Sequence, residues 1–118
     1  MKKIIEKVTG YGKVVKESDL PVVVFIIANW CGTCQIMVPI LENLAIQYKE
    51  KIKFAMVDID KAEEVTKNYG SDKLPILLFF KEGELVDQLI GTMSESVLEM
   101  KIKRLFEISS TNDITNTK

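Results

Sequence analysis

Hydrophobic positions along this chain alternate between two periods, and each change of period marks an element. Lys3 to Val8 reads as a short strand. Tyr11 to Ser18 is ambiguous between a short helix and a loop, and Gly10 and Gly12 favour loop at its start. Pro21 then opens Val22-Val23-Val24-Phe25-Ile26-Ile27-Ala28. This β-branched run is apolar on both faces, as a strand in the middle of a sheet must be. The period changes at Thr33. From there to Tyr48, Ile36, Met37, Ile40, Leu41, Leu44, Ala45 and Tyr48 fall on one helical stripe. Pro39 sits inside that stripe and lacks the N–H for the carbonyl of Gln35, so a kink is expected there.

Lys53 to Ile59 returns to strand character. Asp60-Lys61-Ala62-Glu63 has the form of an N-cap with a reciprocal Glu, starting a helix that runs to about Tyr69 and stops at Gly70. Pro75 to Phe80 is a second buried strand with Pro at its first residue, where Pro is tolerated. Lys81-Glu82-Gly83-Glu84 reads as a hairpin turn into Leu85 to Ile90, and Gly91 breaks that strand. Thr92-Met93-Ser94-Glu95 offers a cap for a last helix, with Leu98, Ile102, Leu105 and Phe106 on its inner face.

The resulting order is β-α-β-α-β-α-β-β-α. A strand, a helix and a strand in succession imply a right-handed parallel crossover, while the closing hairpin is antiparallel. The expectation is an α/β fold with a mixed central sheet and helices on both faces. With 118 residues the chain is sized for one domain, read here as residues 1–108. The polar stretch 109–118 reads as a flexible tail.

Composition narrows the function. Acidic and basic residues nearly cancel, at 17 against 16, so no strong field steers a polyanion here. Arg104 is the only arginine, which disfavours nucleic-acid recognition. The longest apolar run, Val22 to Ala28, is too short to span a bilayer, so no membrane partner is expected. The N-terminus shows no apolar h-region, and the expected location is the cytoplasm. Cysteine pairs in that reducing compartment are more often catalytic or metal-binding than structural. The chain has no His, which removes the commonest general base and metal ligand.

Its two cysteines, Cys31 and Cys34, fall where the buried strand passes into the helix. Cys31 therefore lies at a helix N-terminus, where unpaired N–H groups and the dipole favour an anion and lower a thiol pKa. Cys34 lies about one turn on, facing inward. This spacing makes Cys31 the nucleophile that forms a mixed disulfide with a substrate. Cys34 is the resolving thiol that displaces the substrate from it. A metal site would need two further soft ligands, which the chain does not have; a cluster shared between subunits has nothing to motivate it. A purely structural disulfide here would close a very short loop, where the entropic gain is least.

The run Trp30-Cys31-Gly32-Thr33-Cys34, followed by Pro39, resembles the thioredoxin family. So do Val57-Asp58-Ile59-Asp60, Tyr69-Gly70, Leu74-Pro75, Phe80-Lys81-Glu82-Gly83-Glu84 and Gly91, over about residues 1–108. The resemblance implies a thioredoxin fold with a cis Leu74-Pro75 bond beside the two sulfurs. It implies that the Leu74 backbone pairs with an extended substrate chain. Trp30, Gly32, Leu74, Pro75 and Gly91 would then form a flat apolar docking surface.

Three positions depart from the family pattern. Phe25 stands where a buried Asp is usual, and Met56 where a Lys is frequent. Replacing both partners of a buried charge pair is physically coherent, because losing one alone would strand a charge. Cys34 must then lose its proton to water, to the departing thiolate or to another group, which makes a slower and more pH-dependent resolving step the expectation. Thr33 stands where reducing members commonly have Pro, restoring a backbone N–H and adding a hydroxyl. If these stabilise a Cys31 thiolate by roughly 1 kcal/mol, the couple becomes about 20 mV more oxidising.

The resemblance thus implies a thiol–disulfide oxidoreductase that reduces disulfides of target proteins. It is expected to act as a monomer and to be recharged by a separate thioredoxin-reductase-type enzyme, flavin- or ferredoxin-dependent. No metal and no bound cofactor are expected beyond the redox-active Cys31–Cys34 disulfide, and no glycine-rich loop for a nicotinamide is present. The alternative is a thioredoxin-fold binding module with little redox turnover.

Overall fold

The computed structural model describes residues 5–62, 67–69 and 73–108. Its elements are β1 (Glu6–Val8), α1 (Gly12–Glu17), β2 (Val22–Ile27), α2 (Gly32–Gln47), β3 (Lys53–Asp58), β4 (Ile76–Lys81), β5 (Glu84–Ile90) and α3 (Glu95–Phe106), with a 3₁₀ turn at Ile59–Lys61. The strands form one sheet in the order β1-β3-β2-β4-β5. β1 and β2 both run parallel to β3, while β4 is antiparallel to β2 and to β5.

β2 is buried along its whole length, which is why it carries no polar residue. It lies between β3 and β4 at the centre of the sheet. Helices cover both faces. Phe79 and Phe80 are adjacent in β4 and point to opposite sides. Phe79 packs against Phe106 of α3 and Phe80 against Tyr11 at the start of α1. α2 shares its face with α3, because Asn43 Nδ2 and Gln47 Nε2 donate to Glu95 and Glu99. The Tyr48 hydroxyl, also at the end of α2, donates to Glu99. Burial and the Glu99 carboxylate push the Tyr48 hydroxyl well above its usual pKa.

Several expectations are sharpened. The ambiguous stretch 11–18 is a helix from Gly12 to Glu17, stabilised by burial of Val15 and by the Tyr11–Phe80 contact. Gly12 starts that helix rather than a loop, since tertiary packing outweighs its weak propensity. The first strand covers only Glu6–Val8 of the expected 3–8, and residues 1–4 lie outside the described ones. α2 runs through Pro39, which is exposed on its outer side.

The expected cap at Asp60 is not formed. Asp58 takes that role instead, its carboxylate accepting the Asp60 N–H at 3.0 Å and closing the 3₁₀ turn. An Asp side chain bonds readily to the amide two residues on, so the turn closes before a helix could start at Asp60. Lys67 and Asn68 are helical, as expected, but Glu63 and Gly70 lie outside the described residues, as does the stretch 109–118.

The hairpin is as read. Glu82 and Gly83 both have positive φ, at 53° and 83°, the two left-handed residues of a tight antiparallel turn. Ser94 caps α3 by accepting the Val97 N–H at 3.2 Å. Leu98, Ile102 and Phe106 of α3 are buried and Leu105 is half-buried.

Candidate active site

The site forms where β2 stops. The Cys31 N–H donates to the Ala28 carbonyl at 3.1 Å, folding Ala28–Cys31 into a tight turn that delivers the chain to α2. Cys31 is the N-cap of α2, a 16-residue helix, with extended backbone at φ −91° and ψ 105°. Its sulfur accepts the Cys34 N–H at 3.1 Å, one of the orphan donors of the first turn. The Thr33 Oγ1 lies 3.5 Å from the same sulfur. Thr33 thus contributes its hydroxyl, whereas the backbone donor is Cys34. Both contacts strengthen if the sulfur carries charge, as does the positive end of the helix.

Cys31 and Cys34 are joined by a disulfide, with Cα atoms 5.3 Å apart. The two sulfurs differ in access. Cys31 is 7 % exposed and Cys34 is fully buried, so an incoming group meets Cys31.

The other sequence-derived residues gather at this end of the sheet. Ile26 of β2 stands opposite Ile76 of β4, so Leu74-Pro75 lies level with the Ala28–Cys31 turn. The Leu74-Pro75 bond is cis, as the family resemblance implied. Pro75 is buried and Leu74 half-buried. The Gly91 N–H donates to the Pro75 carbonyl at 2.8 Å, joining the two loops. Gly91 has φ +100°, which explains why glycine stands there. Gly32 is exposed and open space surrounds its Cα, so no packing constraint requires glycine at that position.

Trp30 is 59 % exposed, and its indole N–H donates to Asp60 Oδ2 at 2.8 Å. Asp60 is a site residue that sequence reasoning placed elsewhere, as a helix cap. Its signal was its position just past β3, the parallel neighbour of β2, at the same sheet end as Trp30.

Phe25 and Met56 stand directly opposite each other in the β2–β3 register. They are 1 % and 7 % exposed. The positions of the usual charge pair are therefore adjacent here and both apolar. No polar or charged side chain is buried among the described residues, so the core offers Cys34 no internal base there.

Thr33→Pro removes the hydroxyl beside the Cys31 sulfur. The redox potential of that variant is expected to fall by about 20 mV, equivalent to about 1 kcal/mol of lost thiolate stabilisation. Equilibration against a glutathione buffer reads this directly, and an unchanged potential would show that the hydroxyl contributes nothing.

The thioredoxin family model matches residues 2–104. Thioredoxin 1 of Nostoc is 36% identical over 90 residues, covering 76% of this chain and 84% of that one. The thioredoxin of Rickettsia felis is also 36% identical over 90 residues, covering 76% and 86%. Among solved structures, oxidised mitochondrial thioredoxin 3 of Saccharomyces cerevisiae superposes with a TM-score of 0.74 at 29% identity, over 85% of this chain and 94% of that one. A helix-capping cysteine disulfide-bonded to a buried one, on a sheet of this order and in a sequence this similar, gives one answer: the chain belongs to the thioredoxin family and is a thiol–disulfide oxidoreductase that reduces protein disulfides.

Proposed function

We propose that the reduction runs through an ordered pair of sulfurs, Cys31 first and Cys34 second. The Cys31 thiolate attacks one sulfur of a substrate disulfide. That S–S bond breaks, and one substrate sulfur leaves as a thiolate and takes up a proton. Cys34 then gives up its proton and attacks Cys31, releasing the second substrate thiol and closing the Cys31–Cys34 bond. Two electrons pass from the protein to the substrate, so no bound cofactor is needed.

The observation that carries this order is the asymmetry of the sulfurs. Two donors and a helix N-terminus converge on the more accessible Cys31, while Cys34 is sealed inside. Trp30, Gly32, Thr33, Leu74, Pro75 and Gly91 surround the reacting sulfur and form the surface on which the substrate chain lies.

A disulfide formed in each turnover must be reopened. A separate thioredoxin-reductase-type enzyme does this, and a reducing compartment, the cytoplasm, is where such a cycle turns over. The protein acts as a monomeric electron carrier between that enzyme and its substrates.

The test is a Cys34→Ser trap incubated in cell extract. Mixed disulfides on Cys31 then have no resolving thiol and accumulate as thiol-sensitive complexes. They are expected with Cys34→Ser and absent when Cys31 is also replaced. A trap that captures nothing covalently would instead favour a binding module with little turnover.

A further inference from the structure

Two exposed apolar side chains flank the Cys31 sulfur, and only one of them, Trp30, has a place in the docking surface above. The other is Ile36 of α2. At 61 % and 59 %, Ile36 and Trp30 are the most exposed large apolar side chains among the described residues. Single apolar residues on a surface are ordinary, so exposure alone assigns Ile36 nothing; its position does.

Helix geometry fixes that position. The Thr33 Oγ1 lies 3.5 Å from the Cys31 sulfur. Ile36 is three residues beyond Thr33 and four beyond Gly32, and residues at that spacing are neighbours on a helix, with Cβ atoms about 5–6 Å apart. Helical side chains lean towards the N-terminus, so Ile36 covers the turn that carries Gly32 and Thr33. Nothing lies within 4 Å of the place a Cβ on Gly32 would occupy. The result is a shelf of bare backbone at Gly32, next to Cys31 in the chain, with Ile36 as its wall. Gly32 to Gln35 carry no charge, so the surface between sulfur and wall is uncharged as well.

Trp30 and Ile36 stand on opposite sides of the redox turn. Trp30 is tied to Asp60, just past β3. Ile36 belongs to the α2 stripe of Ile36, Ile40, Asn43 and Gln47, whose last two members reach Glu95 and Glu99 of α3. α3 in turn lies over β4 and β5, through the Phe79–Phe106 contact and the Lys101–Asp87 ion pair at 2.6 Å. β3 and β4 flank β2 on its two sides, so the two apolar side chains bracket the cysteine that β2 delivers.

We propose that Ile36 is a specificity-determining residue for protein-disulfide reduction, receiving an apolar side chain of the substrate beside the attacked half-cystine. The inference rests on the dithiol exchange proposed above and adds no step to it. The preferred partner is an extended chain with apolar residues flanking its cystine. Such a residue buries surface on Ile36 that water covers in the free protein. A polar residue in its place loses hydration against Ile36 and gains no partner there.

The test follows single-turnover oxidation of the reduced protein by two capped peptide homodisulfides, Leu-Cys-Leu and Ser-Cys-Ser, and by hydroxyethyl disulfide, counting remaining protein thiols. Both peptides are uncharged, and symmetric flanks make chain direction immaterial. The wild-type protein is expected to react faster with the Leu peptide than with the Ser peptide. Ile36→Ala is expected to lower that Leu-to-Ser ratio about fivefold, which corresponds to about 1 kcal/mol, while its rate with hydroxyethyl disulfide holds. Ala is the better helix former, so α2 is retained. Ile46→Ala removes a side chain that is 57 % exposed, ten residues further along α2, and is expected to leave the ratio unchanged. Four results overturn the proposal while leaving the exchange standing. They are a wild-type ratio near one, a ratio that Ile36→Ala does not move, a ratio that Ile46→Ala lowers as much, and a hydroxyethyl disulfide rate that falls as far as the Leu-peptide rate in Ile36→Ala. If hydroxyethyl disulfide fails to oxidise the wild-type protein, the exchange itself fails.

Discussion

Cys31→Ser is expected to abolish protein-disulfide reduction, with a loss of at least about a thousandfold in an insulin reduction assay. The reason lies in ionisation. Free thiols ionise near pH 8.5, so even an unassisted cysteine is a few per cent thiolate at pH 7. A hydroxyl with a pKa near that of water, about 15.7, is ionised to only roughly one part in 10⁸ or less at that pH. The donors that converge on the Cys31 sulfur cannot close such a gap, since charge-assisted hydrogen bonds contribute about 1.5–3 kcal/mol each. The same variant keeps its fold, because serine remains an acceptable N-cap for α2 and its hydroxyl can accept the Cys34 N–H. Unchanged far-ultraviolet circular dichroism with lost activity is therefore the expected pair of results. Substantial activity in Cys31→Ser would move the first attack to another group.

Phe25→Asp is expected to be the most destabilising of the substitutions that restore a family charge. Phe25 is buried at the centre of the sheet, opposite Met56 on one side and Leu77 on the other. Truncating a buried Phe costs about 3–5 kcal/mol. A carboxyl left among apolar neighbours adds to that cost and is pushed to a higher pKa by desolvation. The total approaches the 5–15 kcal/mol stability of an ordinary domain.

The pH dependence has a definite sign. A carboxyl whose folded pKa lies above its unfolded value binds more protons when folded, so stability falls as pH rises between those two values. Urea unfolding is thus expected to show a larger penalty at pH 7 than at pH 4. Adding Met56→Lys supplies the missing partner one strand away and is expected to return about 1–3 kcal/mol at neutral pH. A Phe25→Asp variant within about 1 kcal/mol of wild type would mean that this core already accommodates a charge. The wild-type sequence avoids the problem by making both positions apolar, so neither Phe25 nor Met56 can take up the Cys34 proton.

Much of this was legible in the chain because it depends on local pattern. β2 and α2 stand out by their change of period, and the two cysteines sit at the junction, so the position of the reactive sulfur follows from strand and helix rules alone. The hairpin at Glu82-Gly83 and the Ser94 cap are likewise short-range chemistry. What escaped depends on neighbours brought together by folding. α1 is too short to be stable by propensity and is held by Val15 and the Tyr11–Phe80 contact, between residues far apart in the sequence. Asp60 looked like a helix cap because the following Glu completed a familiar motif, while Asp58 closes that turn first and frees Asp60 for Trp30. The Cys34 N–H as donor to Cys31 emerges only from the geometry of the first turn.

Alkylation of Cys31 by iodoacetamide across a pH series, in the Cys34→Ser variant so that a single thiol reports, measures whether this sulfur is held as an anion at the mouth of α2. The rate should follow thiolate formation with a midpoint well below the value of about 8.5 for free cysteine. A midpoint at or above 8.5 would contradict the stabilisation that the helix end, the Cys34 N–H and the Thr33 hydroxyl are held to provide.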